Sequence, residues 1–272
     1  KDRTCGGRKG VSRMLELKNI YKVFNPGTIN EKKAIQNLNF TLNDGDFVTV
    51  IGANGAGKST MLNLIAGVYS VDQGSILIDG ENVTKKPEYK RAAYLGRVFQ
   101  DPMMGTAGNM GIEENLAMAY RRGKSRGLRW GISNAERALY REKLKMLDLG
   151  LENRMTNKVR LLSGGERQAL ALLMATLQQP KLLLLDEHTA ALDPKTAQKV
   201  LDITDRIVSE NHLSTLMVTH NMKDAIRYGN RLIMMNEGNI IFDVSGEEKK
   251  NLHVSDLLKR FEDISSDRML LA

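Results

Sequence analysis

The chain has 272 residues and a formal net charge of +8, long enough for one large α/β domain or two small ones with a real core. Apolar residues make up 42% and charged residues 26%, which excludes a disordered or fibrous chain, and no apolar run approaches the roughly 20 residues a spanning helix needs. The charge is too local for a nucleic-acid footprint: residues 1–13 carry +4 and residues 121–129 carry +5, so the remainder stands at −1.

Residues 1–13 have no apolar h-region, which argues against a secretory signal. They hold the single cysteine, Cys5, so no intrachain disulfide is available and a reducing compartment fits. We read this leader as a disordered arm or a remnant outside the fold, with structured sequence starting at Met14. Leu15–Leu42 reads as antiparallel β with a turn around Asn25-Pro26-Gly27. Asp46–Ile51 is a short β-branched run, Gly52–Lys58 a glycine-rich turn, and Ser59–Ala66 has helical apolar spacing. Tyr94–Phe99 is strand-like. Residues 101–160 are poor in β-branched residues and rich in methionine, with helical patterns at Ile112–Tyr120 and Asn134–Leu149 on either side of the basic stretch. They read as a helical subdomain inserted into a core made of residues 14–100 and 161–250. A helix-like run, Ala169–Leu177, precedes two buried-strand candidates, Lys181–Leu185 and Thr215–Thr219; residues 251–272 read as a partly polar helical tail. Strands alternating with helical patterns predict an α/β fold, a mostly parallel sheet covered by helices, with an antiparallel β part at the N-terminus.

Three motifs carry chemistry. Gly52-Ala53-Asn54-Gly55-Ala56-Gly57-Lys58-Ser59, followed by Thr60, fits the phosphate loop of P-loop NTPases, G-x-x-x-x-G-K-[ST]. Backbone amides wrap the phosphates, Lys58 reaches the β- and γ-phosphates, and Ser59 can hold Mg²⁺. A plain glycine turn is the competing explanation, but a strand before and a helix after are the context this motif requires. Leu182-Leu-Leu-Leu-Asp186-Glu187 puts an acidic pair at the carboxyl end of a buried strand, where ligands sit in open α/β sheets. Asp186 would orient Mg²⁺ and Glu187 would activate the attacking water; a strand ending in solvated acids is the plainer alternative. Ser163-Gly164-Gly165-Glu166 satisfies the S-x-x-E capping box. That box does not explain two glycines, which weaken a first turn by roughly 1 kcal/mol each. Bare amides at a helix start, where the dipole favours an anion, do explain them. Two phosphate-binding devices for one nucleotide suggest a site shared between two chains.

In this order, over residues 14–245, these motifs resemble the ATP-binding cassette family, the motor subunits of ABC transporters. The resemblance implies ATP and Mg²⁺ as cofactors. Gln100 looks like the glutamine that contacts Mg²⁺ and senses the membrane partner, Ala191-Leu192-Asp193 like the D-loop, and His220 like the switch histidine at the γ-phosphate. Phe24, with Tyr21 as competitor, matches the aromatic that stacks on adenine. The family also implies a second cassette, with Lys58 of one chain and Ser163 and Gly165 of the other on each γ-phosphate. Further partners would be membrane-spanning subunits and, indirectly, an extracellular solute-binding protein, but no nucleic acid. The chain would then be cytoplasmic, peripheral on the inner face of the membrane, and part of an importer of amino acids or similar solutes, since Asp-Glu-His-Thr-Ala-Ala-Leu-Asp resembles a subgroup of bacterial uptake systems. His188 departs from the proline or alanine usual after the acidic pair, either as loop variation or as a second titratable group beside the base. The basic stretch 121–129 is a solvated loop or a membrane-proximal element. Two other classes compete. A soluble member of the family acting on nucleic acid or ribosomes would carry two cassettes or long coiled coils. A generic P-loop kinase or switch protein would have no use for Ser163–Glu166.

Overall fold

A computed structural model describes residues 12–123 and 131–261; Cys5, most of the basic stretch and residues 262–272 lie outside them. β1 (Arg13–Phe24) and β2 (Lys32–Asn43) pair antiparallel across a turn in which Asn25 and Gly27 adopt φ 51° and 73°. β3 (Phe47–Gly52) runs into α1 (Lys58–Ala66). β4 (Gln73–Ile78) and β5 (Glu81–Asn82) complete a four-stranded antiparallel sheet ordered β2-β1-β4-β5. A short α2 (Glu88–Arg91) leads to β6 (Leu95–Val98), and α3 (Ile112–Tyr120) and α4 (Asn134–Lys145) follow. α4 stops short of Leu149 because the chain turns at Asp148 and Gly150, both with positive φ.

α5 (Gly164–Thr176) starts five residues before its apolar run, because Ser163 and Glu166 close the capping box. Then come β7 (Leu182–Asp186), α6 (Pro194–Glu210), β8 (Ser214–Val218), α7 (Met222–Arg227), the hairpin β9 (Arg231–Asn236) and β10 (Asn239–Ser245), and α8 (Gly246–Lys250). Residues 254–261 are helical and bury Leu257 against Ile51, Leu232 and Met234. The second sheet is ordered β10-β9-β3-β8-β7-β6 and is parallel except for β10. Among the described residues no helix is long and apolar enough to cross a membrane.

The four leucines of β7 show why this sheet is central. All are fully buried, and successive side chains point to opposite faces. Leu183 and Leu185 join α3, α4, α5 and α6 on one side, while Leu182 and Leu184 join α1 and the antiparallel sheet on the other. A strand covered on both faces has no polar side to show, hence its unbroken apolar run. Parallel pairing then brings the carboxyl ends of β3, β6, β7 and β8 to one edge of the sheet. The segments that follow them begin at Ala53, Phe99, Glu187 and Thr219, so residues far apart in sequence meet there.

Candidate nucleotide site

The phosphate loop closes because its glycines have no Cβ. One at Gly52 would lie 2.3 Å from the Met235 carbonyl oxygen, and one at Gly57, which adopts φ +100°, 2.9 Å from that of Ala34. Gly57 is also the N-cap of α1 and offers no side chain to its first amides. α4, α5, α6 and α7 are instead capped by Ser133, Ser163, Asp193 and Asn221. The first-turn amides of a helix have no intrahelical acceptor, so α1 is left as an anion site.

Lys58 crosses the loop, its ammonium donating to the carbonyls of Gly52 at 2.8 Å and Ala53 at 3.1 Å. Burial lowers its pKa, opposed by the charges of Glu187 and Asp186. The Ser59 hydroxyl donates to Asp186 Oδ1 at 3.3 Å. Burial raises the Asp186 carboxyl, and the Arg97 guanidinium, 3.7 Å from Oδ2, is the largest opposing influence. A hydroxyl and a carboxylate side by side are oxygen donors of the kind Mg²⁺ takes, so these residues fit that ion.

Glu187 sits one residue past β7 with φ 43°, a left-handed conformation uncommon for a residue other than glycine and often found at functional turns. His220 follows β8, presented by Asn221, which caps α7. Its Nδ1 lies 3.7 Å from Glu187 Oε2. A cavity of about 480 Å³ gathers Phe24, Asn54 to Thr60, Gln100 and Glu187, together with Lys32 and Ala34, a volume suited to a small ligand. Phe24 lines this cavity and meets Tyr69 edge-on at 5.2 Å; Tyr21 is not among the lining residues.

Ser163, Gly164, Gly165, Glu166 and Asp193 do not line it. Ser163 accepts from the Glu166 amide at 3.3 Å, the Glu166 carboxylate accepts from the Ser163 amide at 2.8 Å, and Arg154 pairs with Glu166. Asp193 accepts from the Thr196 amide at 3.1 Å as the cap of α6. Ser163 and Gly164 are exposed, whereas Gly165 is buried, where a Cβ would come 2.1 Å from Thr196 Cγ2. The second glycine therefore has a packing reason besides a bare amide.

His188 turns away from the cavity. It is buried, 3.1 Å from the Thr204 hydroxyl, and burial pushes its pKa down to about 4. It adds no titrating group beside Glu187. Of the basic stretch, Arg121 pairs with Glu136 at 2.7 Å, and burial lowers the pKa of Arg122.

Two positioning residues escape motif reasoning. Buried Gln168 on α5 donates to the Phe99 carbonyl at 3.1 Å, fixing the segment that carries Gln100. Arg97 faces Asp186 from β6. Each left a signal, an amide next to an apolar helix run and a charge inside a buried strand.

The chain matches the family model described as ABC transporter over residues 35–190. It is 46% identical over 254 residues to the tyrosine transport ATP-binding protein of Clostridioides difficile (strain R20291), covering 92% of this chain and 99% of that one. It is 34% identical over 236 residues to the spermidine/putrescine import ATP-binding protein PotA of Haemophilus influenzae, covering 86% of this chain and 59% of PotA. Among solved structures, the ATP-binding cassette MJ0796 in a dimeric post-hydrolysis state bound to ADP and Pi superposes with a TM-score of 0.72 at 31% identity, over 85% of this chain and 98% of that one. A phosphate loop on an uncapped helix, an acidic pair at the end of β7 and these likenesses agree: the chain belongs to the ATP-binding cassette family, the ATPases of ABC transporters.

Proposed function

We propose that this chain is the ATP-hydrolysing subunit of an amino-acid importer, acting as one of two cassettes beneath separate membrane subunits on the cytoplasmic face of the cell membrane. Its near full-length likeness to a tyrosine transport ATP-binding protein supports the cargo class. The observation that carries the chemistry is the uncapped start of α1 in the same cavity as Glu187.

Phe24 stacks on the adenine. The amides of Asn54 to Thr60 take the phosphates, and Lys58 turns its ammonium from the loop carbonyls to the β- and γ-phosphate oxygens. Ser59, Asp186 and Gln100 would hold Mg²⁺, which would offset the negative charge that develops on the phosphate. Glu187 takes a proton from the attacking water at a carboxylate oxygen, and His220, close beside it, contacts the γ-phosphate. Ser163 and Gly164, exposed and outside this chain's own cavity, are placed to serve the nucleotide of a second cassette, with Asp193 nearby at the start of α6. A groove lined by Phe99, Met104, Arg122 and Met174 receives the membrane subunit, and Gln100, next to Phe99, joins it to the ATP cavity. The nucleic-acid alternative is not carried forward, because Arg121 and Arg122 of the basic stretch are engaged within the fold.

Glu187→Gln tests the assignment. The variant should bind ATP, lose at least a hundredfold in hydrolysis, as loss of a general base does, and run as a dimer with ATP on a sizing column. A chain that stays monomeric with ATP, or hydrolyses at the wild-type rate, refutes the base and dimer assignments. For the cargo, cells lacking this gene should take up less labelled tyrosine; unchanged uptake removes that solute.

A further inference from the structure

Arg97 is a charge on β6, an edge strand that is otherwise largely buried, in register with Leu184 of β7. Its side chain is 14% exposed and that of Asp186 15%. Its Nη2 donates to Asn63 Oδ1 on α1 at 2.7 Å and stands 3.7 Å from Asp186 Oδ2, while the guanidinium lies 4.5 Å from the centre of the Phe99 ring. The other oxygen of Asp186 takes the Ser59 hydroxyl. The aspartate therefore stands between the hydroxyl expected to share a metal ion with it and a fixed cation.

We propose that Arg97 is a positioning residue that sets cation affinity. It holds Asp186 in place in the nucleotide-free chain and keeps the site weak for a free divalent cation until nucleotide phosphates add their own oxygens. The proposal rests on Ser59 and Asp186 being the metal-holding pair. Two physical effects carry it. A half-buried carboxylate needs a partner in the absence of metal, and Arg97 is the cation placed to be one. The same positive charge opposes a second cation on the far side of the carboxylate. An adjacent arginine lowers a carboxylate's proton affinity by about one to three pKa units, and a divalent ion feels the same field. The cation would then arrive with the nucleotide rather than before it.

The experiment measures Mn²⁺ binding to the nucleotide-free chain by electron paramagnetic resonance, and ADP binding with EDTA or with Mn²⁺. Arg97→Gln, neutral but able to bond Asn63, should bind Mn²⁺ about tenfold tighter, with ADP affinity in EDTA unchanged within about twofold. Arg97→Lys, which keeps the charge, should match wild type; a residue that only supported the fold would not separate the two. Should Arg97→Gln fail to fold, Asn63→Ala is read instead. Without its amide hook the guanidinium closes on Asp186, and Mn²⁺ affinity should fall several-fold. Unchanged or weaker Mn²⁺ binding in Arg97→Gln, an Arg97→Lys effect as large as that of Arg97→Gln, or no change in Asn63→Ala overturns the proposal. Asp186→Asn separates the two levels. If that variant still responds to Mn²⁺ like wild type, the metal-site assignment fails and Arg97's role falls with it. If it does not respond while Arg97→Gln equals wild type, only the role of Arg97 is refuted.

Discussion

His188 gives a pH-dependent stability that can be calculated in advance. Thr204 donates its hydroxyl hydrogen to the Val200 carbonyl at 2.8 Å, so its oxygen is left to accept from His188 Nε2–H at 3.1 Å. Burial favours this neutral ring and pushes the folded pKa down to about 4, from an ordinary value of 6.5. The unfolded chain therefore binds the proton first. Stability from this group is complete above about pH 6.5 and is lost as the pH falls from 6.5 through 4. At pH 5 the unfolded histidine is almost fully charged and the folded one mostly neutral, a difference of about 2 kcal/mol; at pH 7.5 it is close to zero. His188→Gln removes the titration while keeping an N–H for Thr204. Urea unfolding of both chains at pH 7.5 and 5.0 checks this: wild type should lose about 2 kcal/mol more than the variant between the two pH values. Equal losses, or a ring signal titrating near pH 6.5 in the folded protein, would refute the buried neutral histidine. Hydrolysis at pH 7.5 should survive in the variant, because the ring packs against α6 and not beside the Glu187 carboxylate.

Gly165→Ala should cost about 1–3 kcal/mol, as overpacking a tight contact does, because its Cβ would meet Thr196 Cγ2 at 2.1 Å. Adding Thr196→Ser, which removes that methyl, should recover most of the loss in thermal melts; no recovery counts against a packing role. Tyr140 is fully buried with no partner for its hydroxyl among the described residues, so Tyr140→Phe should raise stability by about 1 kcal/mol, and a clear loss in denaturant would reveal a bond to that hydroxyl. Equal amounts of two inactive chains, Lys58→Ala and Ser163→Arg, should regain about a quarter of wild-type hydrolysis. Half of randomly formed dimers are mixed, and each mixed dimer holds one intact site. No rescue at any mixing ratio would rule out a shared site.

What the sequence discloses is chemistry imposed by local backbone geometry. The glycines at positions 52, 55 and 57 all have positive φ, and the phosphate loop is legible because few other residues fit there. α3 begins and ends where its apolar spacing does, at Ile112 and Tyr120. β4–β5 and β9–β10 are hairpins closed by Asp79-Gly80 and Glu237-Gly238, all four with positive φ, a local mark that reading for alternating strands and helices passes over. Side chains that serve distant carbonyls leave no such mark. Arg91, 2% exposed, donates to Leu64 and Ile65 at the end of α1 and to Thr84 and Lys86. It caps a helix it does not belong to, and no spacing rule announces that. Asp193 is a different case: the family resemblance implies a D-loop there, whereas its use as the cap of α6 follows from Pro194 at N1 and the Thr196 amide.

The two phosphate devices differ in how committed they are. The start of α1 has no side-chain cap, so an anion there displaces no cap and only draws Lys58 from the carbonyls of Gly52 and Ala53. The start of α5 is closed: Ser163 accepts the Glu166 amide at a long 3.3 Å, and its hydroxyl also donates to the Glu166 carboxylate at 3.0 Å. If a second chain's γ-phosphate docks on Ser163, it competes with those contacts and sits near a carboxylate that Arg154 partly neutralises. The phosphate loop should therefore hold nucleotide in a single chain, whereas the α5 contact forms only when a terminal phosphate is present to replace the cap. On this reading, loss of that phosphate on hydrolysis would return Ser163 to Glu166. The partner cassette would then lose its hold at Ser163 while its nucleotide stayed on α1, which is the asymmetry a clamp that opens after each turnover requires.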